Sequence, residues 1–548
     1  MATARLNASR EHHRQCDLPA DADPVLIIDR LHREHGEEII PRLDGDFAIV
    51  IFNQGDLLAV RDHMGVRPLY MASDGMRHAF ATHPSLLLQL VWVDRSIDTM
   101  RVADYLLSLY EDGEETFYRG VRRLPAGHAL RCNRSRRQLW RYWSLDPDFE
   151  HQAGSDDHYA ERFLQELRRS VRDRLTGSSP FGATLSGGLD SSSVTAMARL
   201  LLKGRDLHTF SAVFAESPRS DERSYIAKVV DQGGIASHVI EAGGLAPIGS
   251  LHDVRSYLFE PFFAPNLFLH AALLRASKVA GCSVLLDGLD GDTAVSHGLA
   301  RLQELARGLR WILLGQEIRG LATGIASTSR AGLLWRSVIR PLLLRPPRLL
   351  LRRLRPLPQS PWGAEALLNK EFAQAHHLQE RYLTLSEMRS APVKTQRREH
   401  IRRITWPLHG FMLEMLDRLG AAIGVESRYP FYDRGLIELS VSLPADQKLR
   451  GGWTRFVLRR SMSGLLPHTI AWRVGKSDLG ENFNRAFIRD ELRSVRSLVQ
   501  KSDHAVWEYA DRAAVGEGVK IIDSGDQSPI IVLWKTLTLA QWLESTNV

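Results

Sequence analysis

Leu185–Ser186–Gly187–Gly188–Leu189–Asp190–Ser191–Ser192 is the stretch whose reading decides the fold. PFGAT before it reads as a short buried strand, and SSVTAMARLLL after it reads as a helix. Two glycines let backbone N–H groups approach an anion closely. The serine hydroxyls and the helix N-terminus add donors and partial positive charge. Asp190 would repel a bare phosphate, so it makes sense beside Mg²⁺, which one or two carboxylates hold together with phosphate oxygens. The Lys of a Walker A loop is missing. A plain tight turn is the alternative, but the full string in a strand–turn–helix setting argues for an anion site.

Outward from this loop the pattern alternates. LHTFSAVFA and SHVIEA read as strands, YIAKVVDQGG and NLFLHAALLRASKVAG as helices, and CSVLLDG as a further strand. DDHYAERFLQELRRSVRDRL, just upstream, is an amphipathic helix. Strands alternating with helices predict a doubly wound parallel α/β sheet that binds ligands at the carboxyl ends of its strands. Residues 24–150 read differently. VLIIDRLHREHG has helical spacing, and apolar runs flank Asn53–Gln54–Gly55 and Asn133–Arg134–Ser135, predicting an antiparallel α+β unit. Residues 1–23 are polar and aperiodic and are expected to be flexible. The second domain is then 151–548, with a basic helical insertion at about 299–360 and a helical pattern after Trp362.

Composition bounds the rest. The chain has 548 residues, with 71 Lys+Arg against 64 Asp+Glu, a net charge of +7. Charged residues at 25% and hydrophobic ones at 44% exclude a mostly disordered chain. The cysteines, Cys16, Cys132 and Cys282, are too scattered for a disulfide framework or a CxxC metal site, so a reducing, cytoplasmic setting is expected. No run is apolar enough for a transmembrane segment. The modest, local charge excess does not describe a nucleic-acid surface.

Three further segments carry chemistry. Leu286–Asp287–Gly288–Leu289–Asp290–Gly291–Asp292 follows a strand, and its carboxylates suit a Mg²⁺ site facing Asp190 better than an EF-hand, which needs a Glu at its twelfth position. Arg473–Val474–Gly475–Lys476 places a Lys where charge developing on a reacting phosphate could be neutralised. Glu426–Ser427–Arg428–Tyr429–Pro430–Phe431–Tyr432–Asp433 closes a helix, and Glu426 could orient or deprotonate an attacking amine. Packing is the default for Tyr429 and Tyr432.

The loop resembles that of ATP pyrophosphatases, and the ordered series from Pro24 to Phe483 resembles the asparagine synthetase family. Its markers are DGDFA at Asp44–Ala48, RDHMGVRPLY at Arg61–Tyr70, LPAGH at Leu124–His128, SGGLDSS, DGLDGD, ESRYPFYD and RVGK. The resemblance implies a truncated, Ntn-hydrolase-like glutamine amidotransferase domain, then an adenine-nucleotide α-hydrolase-like synthetase domain. It also implies that Leu185, Ser186, Gly187, Gly188, Asp190, Ser191 and Ser192 bind ATP and pyrophosphate, and that Val213, Phe214 and Gly288 flank adenine. Asp190 and Asp292 would hold Mg²⁺, and Lys476, Glu426 and Arg473 would serve catalysis. Three departures are visible. Position 2 is Ala2 where a glutaminase of this type carries Cys, and the early strands that normally come before DGDFA are missing from the pattern, so no glutamine hydrolysis is expected. Leu289 and Thr293 stand where asparagine synthetases carry acidic residues.

Relatives without glutaminase form intramolecular amides. The degenerate N-terminus, the DGLDGDTAVSHG turn and the Arg-rich insertion look most like lasso-peptide cyclases. The expected reaction is then adenylation of an acid followed by macrolactam closure of a precursor peptide, between its N-terminal amine and an Asp or Glu side chain. A leader-peptide-binding protein and a leader peptidase are the partners such a role implies. The alternatives are an ammonia-using asparagine synthetase, a β-lactam-type synthetase, or, in another class, an inactive ATP-binding scaffold.

Eight arginines between Arg330 and Arg355, among them Arg336, Arg340, Arg345, Arg348, Arg352 and Arg353, read either as a solvated basic face or as a docking surface. If they dock a peptide, neutralising Arg345, Arg348 and Arg352 together weakens peptide binding more than ATP binding in titration calorimetry. Equal loss of both would remove the docking role.

Overall fold

The computed structural model describes residues 2–6, 23–53, 55–133, 137–151, 154–177, 180–203, 206–324, 329–339, 367–475 and 478–546. Cys16, Lys476 and the arginines from Arg340 to Arg355 lie outside the described residues.

The N-terminal unit contains β1 (Ala2–Leu6), α1 (Pro24–His35), β2 (Gly45–Asn53), β3 (Asp56–Arg61), β4 (Tyr70–Ser73), β5 (His78–Ala81), α2 (Thr99–Leu107), β6 (Arg122–Arg123), β7 (His128–Cys132) and β8 (Arg137–Arg141). One antiparallel sheet has the order β1-β2-β3-β7-β8, and a second has the order β5-β4-β6. Period-two alternation sorts their side chains. Phe47, Ile49, Leu58 and Val60 face α1 through Ile27, Ile28 and Leu31. Ala48, Ala59 and Leu130 point the other way, onto Leu69 and onto Met71 of the second sheet. One expectation is corrected here. Ala2–Leu6 is not flexible chain but pairs antiparallel with Gly45–Ile49, so a strand does precede DGDFA. Arg5 fixes it by pairing with buried Asp46, an attachment with no periodic signature.

The second unit contains α3 (Asp156–Arg174), β9 (Phe181–Thr184), α4 (Leu189–Leu202), β10 (Leu207–Val213), α5 (Arg223–Val230), β11 (Ala236–Glu241), α6 (Leu267–Val279), β12 (Val284–Leu286), α7 (Gly291–Val295), α8 (Arg301–Arg307), α9 (Trp311–Gly324), α10 (Gln396–Ile404), α11 (Leu408–Ile423), β13 (Glu426–Arg428), α12 (Arg434–Ser442), α13 (Phe456–Ser461) and α14 (Ile530–Thr546). The sheet is wholly parallel, in the order β11-β10-β9-β12-β13. The chain winds outward from β9 one way, then returns to β12 and winds the other way, so the switch point lies between β9 and β12. The reading of everything after Trp362 as helical missed β13, a three-residue polar strand, Glu426–Arg428, with no apolar run to announce it. In the basic insertion, α8 and α9 pack around Leu302, Leu305, Leu314 and Ile318, with a buried Arg301–Glu317 ion pair. No helix of the described residues is long and apolar enough to cross a membrane.

The two units share one core and a buried ionic lattice. Arg61 and Arg123 come from the first unit, and Glu260, Glu414 and Arg418 from the second. Glu414 pairs with Arg61 at 2.9 Å and Arg123 at 2.7 Å, and accepts from Tyr70 Oη at 2.7 Å. Glu260 pairs with Arg123 and Arg418, both at 2.9 Å. Each of these charged side chains is at most 8% exposed, so each charge depends on its partner. Burial pushes the Glu260 carboxyl up, but Arg123 and Arg418 outweigh it and hold it at about 2.

Replacing Glu260 by Gln should destabilise the fold by about 3–5 kcal/mol in urea unfolding at pH 7, because it strands buried guanidinium charge. The depressed pKa gives the sign of the pH dependence. The wild-type advantage over E260Q is full above about 4.5, the ordinary carboxyl value, and shrinks as pH falls toward 2. A constant advantage down to pH 2 would contradict this reading.

Candidate active site

β9 ends at Thr184, and Leu185–Gly188 turn the chain into α4. Gly188 caps α4 without a side chain, which leaves the first-turn N–H groups facing outward. Ser186 and Ser191 brace the turn: their hydroxyls lie 3.0 Å apart, and the Ser186 N–H donates to Ser191 Oγ at 3.1 Å. Gly187 has φ +70°, and a Cβ there would sit 2.6 Å from Tyr225 Cβ. Arg473 docks on the same loop. It donates to the Gly187 carbonyl at 3.2 Å, pairs with Glu222 at 2.6 Å and lies 3.8 Å over the Tyr225 ring. Of the RVGK segment, Arg473 therefore reaches the loop, and Lys476 falls outside the described residues.

Across the switch point, the turn after β12 presses against the start of α4. A Cβ on Gly288 would lie 2.6 Å from the Ser191 backbone nitrogen, and one on Gly291 would lie 2.7 Å from Asp190 Cγ. Only glycine allows this approach. Asp287 accepts from Thr184 Oγ1 at 3.1 Å, and its N–H donates to the Arg428 carbonyl at 2.8 Å, so it ties β9, β12 and β13 together.

Asp290 adopts a left-handed conformation, φ +60°, at the head of α7. Its carboxylate accepts from Tyr432 Oη at 2.6 Å, Thr293 Oγ1 at 2.9 Å and His409 Nδ1 at 2.6 Å. His409 Nε2 faces the Arg403 carbonyl at 2.8 Å. Both ring nitrogens thus meet acceptors, an arrangement that favours the imidazolium form of His409. Burial opposes that charge, but Asp290 overcomes it and raises the His409 pKa. Tyr432, expected only to pack, is also a hydrogen-bond donor to this turn. The carboxylates expected to act together divide: Asp287 and Asp290 hold structure, and Asp190 and Asp292 flank His297, whose pKa is lowered by burial and by Arg455.

Asp190 is gripped by Arg455, whose Nη1 lies 2.7 and 2.6 Å from the two carboxylate oxygens. Arg455 is itself left-handed, φ +51°, at the cap of α13. Its sequence neighbourhood, GGWTR, gives no sign of this contact 265 residues away. Val213 and Phe214 lie buried at the carboxyl end of β10, beside the loop. Glu426 is not brought there. It opens β13 opposite Val284, two positions before the carboxyl edge, and pairs with Arg67 of the N-terminal unit and with Arg428 at 2.6 Å. Burial would raise its pKa, but Arg67 and Arg428 lower it and keep it an ion-paired carboxylate. The expected base is thus a strut between the units.

Residues 162–544 match the family model for asparagine synthase, and residues 6–143 match that for a glutamine amidotransferase domain. Glutamine-hydrolyzing asparagine synthetase 3 of Bacillus subtilis (strain 168) is 22% identical over 520 residues, covering 92% of this chain and 77% of its own. A putative glutamine-hydrolyzing asparagine synthetase of Mycobacterium tuberculosis (strain ATCC 25618 / H37Rv) is 26% identical over 501 residues, covering 83% and 69%. Amidase chry2 of Gibberella zeae is 28% identical over 287 residues, covering 48% of this chain and 42% of its own.

The contact between turn and helix predicts that Gly288→Ala lowers the affinity for ATP by about tenfold or more, since the added methyl must push the turn off Ser191. Circular dichroism should remain native, because the strain is local. Unchanged ATP affinity in titration calorimetry would show that the approach is dispensable.

Proposed function

The chain belongs to the asparagine synthase family, and from that membership we propose that it forms an amide bond through an acyl-adenylate, as an ATP-dependent carbon–nitrogen ligase. The observation that carries this reading is the junction of the Ser186–Ser192 loop with the Gly288–Asp292 turn at the sheet's switch point. The loop's N–H groups and the helix N-terminus receive the leaving pyrophosphate. Val213 and Phe214 flank the adenine. Asp190 and Asp292 fit the oxygen ligands that Mg²⁺ takes alongside phosphates, and would hold it there to neutralise phosphate charge. Arg455 pairs with the Asp190 carboxylate at 2.6 Å. A substrate carboxylate oxygen bonds to the α-phosphorus of ATP as the bond to pyrophosphate breaks. An amine nitrogen then bonds to the acyl carbon, AMP departs, and the amine loses a proton. Arg473 donates to the Gly187 carbonyl of the loop, and Lys476 would, as in the family the chain resembles, meet the reacting phosphate. The ion pairs of Glu426 leave the acceptor of the amine proton to another group.

For the substrate we favour a precursor peptide, closed into a macrolactam between its N-terminal amine and an Asp or Glu side chain. A leader-peptide-binding protein and a leader peptidase would be its partners. Leu289 and Thr293, in place of the acids of asparagine synthetases, support this reading, as does the Arg-rich stretch. Holding both ends in one cavity replaces external ammonia, and proximity supplies much of the rate. Asparagine formation from aspartate and ammonia is the second reading, favoured by the names of the relatives.

ATP-dependent pyrophosphate release separates the two. Release with linear core peptides bearing an internal Asp or Glu, with loss of one water from the peptide mass, supports the cyclase. Release with aspartate plus ammonia alone assigns asparagine formation and overturns it. In either case Asp190→Asn should cut turnover by about 10²-fold or more, and an unchanged rate would remove Asp190 from the site.

A further inference from the structure

Beside the interdomain lattice lies a small cavity of about 20 Å³, lined by Arg101, Arg123, Glu260, Phe411 and Arg418 among others. Arg101 belongs to α2 and is 3% exposed. Its Nε and Nη1 have no acceptor among the described residues. The guanidinium is boxed by rings: its carbon lies 4.2 Å from the Phe411 centroid, 5.6 Å from Phe117 and 5.9 Å from Tyr110. Rings attract a cation through their faces but accept no conventional N–H hydrogen bond of full strength. Arg123 lies 4.6 Å from the same Phe411 centroid. Two buried cations therefore share one ring and stand at most about 9 Å apart, close enough to repel inside a protein.

The charges around the cavity do not balance. Arg61, Arg101, Arg123 and Arg418 are buried cations, and Glu260 and Glu414 are the buried anions they face. Both carboxylates are already taken by the other three arginines and Tyr70. Asp104, on the same helix as Arg101, is engaged by Arg381 at 2.6 and 2.8 Å. A guanidinium does not shed its proton to escape burial. A water would satisfy a donor here but would leave the charge uncompensated.

We propose that this cavity is a binding site for a monatomic anion, chloride under ordinary conditions, held by Arg101 with Arg123 and Arg418 between the two units. Its volume is enough for one halide ion. The site is separate from the Ser186–Ser192 loop. It binds the amidotransferase-like unit to the synthetase unit by supplying the negative charge that the interface lacks.

The test uses the full chain and halide salts. Crystals grown with sodium bromide in place of chloride should show an anomalous peak between Arg101 and Phe411's neighbours Arg123 and Arg418. At constant ionic strength, replacing sodium gluconate by sodium chloride should raise the thermal midpoint saturably, by about 1–4 °C. Arg101→Met should abolish the chloride-specific rise. Absence of the bromide peak overturns the site even if the variant fails to fold. A chloride-specific rise that persists undiminished in R101M also overturns it.

Discussion

Two backbones that diverge from neighbouring parallel strands meet with no side chain between them, and the candidate site depends on that contact. Gly288 and Gly291 let the turn after β12 lie against Ser191 and Asp190 at the head of α4. Any larger residue would wedge the two apart and separate the carboxylates of Asp190 and Asp292. The parallel order makes the contact possible, because both loops leave the same edge of the sheet at its switch point. The surrounding groups keep it in place. Thr184 and the Arg428 carbonyl hold Asp287, and Tyr432, Thr293 and His409 hold Asp290 in its left-handed conformation.

The N-terminal unit takes part in this arrangement. His63 Nε2 lies 3.1 Å from the Tyr432 carbonyl, and Tyr432 in turn donates to Asp290. Arg67 reaches across to Glu426 and to Asp417. Arg174 of α3 bridges Asp46 at 3.2 Å and Asp433 at 3.1 Å, and thereby links β2 to the cap of α12. The His63 and Arg174 contacts are buried and little screened by solvent, and those of Arg67 are half-buried. The amidotransferase-like unit therefore braces, through Tyr432, the turn that carries Asp290, and through Arg67 the adjoining strand β13.

Much of this arrangement was legible in the sequence, for a definite reason. β9, β10 and β12 are short apolar runs ended by Gly-rich loops, and their alternation with helices carries the parallel sheet. The β2–β3 hairpin is announced by apolar runs on both sides of residues 53–55. Elements held by single long-range ion pairs left no local trace. β1 depends on Arg5 meeting Asp46, and Asp190 on Arg455. Glu426 was misread because a carboxylate beside an aromatic turn looks the same whether it faces a substrate or two guanidinium groups. His409 lies 119 residues from Asp290, and no spacing rule connects them.

The interdomain lattice also sets a limit on how this protein can be shortened. Cutting away the N-terminal unit would remove Arg61, Arg123 and Tyr70 together, and would open Glu260, Glu414 and Arg418 to a new surface. The exposed face would carry Glu414 without Arg61 and Arg123, and Glu260 with Arg418 alone, beside the apolar side of Phe411. A minimal synthetase fragment is thus not obtained by choosing a clean boundary near residue 150. It needs Glu260 and Glu414 redesigned as solvent-facing residues and Phe411 replaced by a polar one. An evolutionary lineage that had lost its amidotransferase chemistry would face the same constraint, and would keep the unit as the counterion of its neighbour.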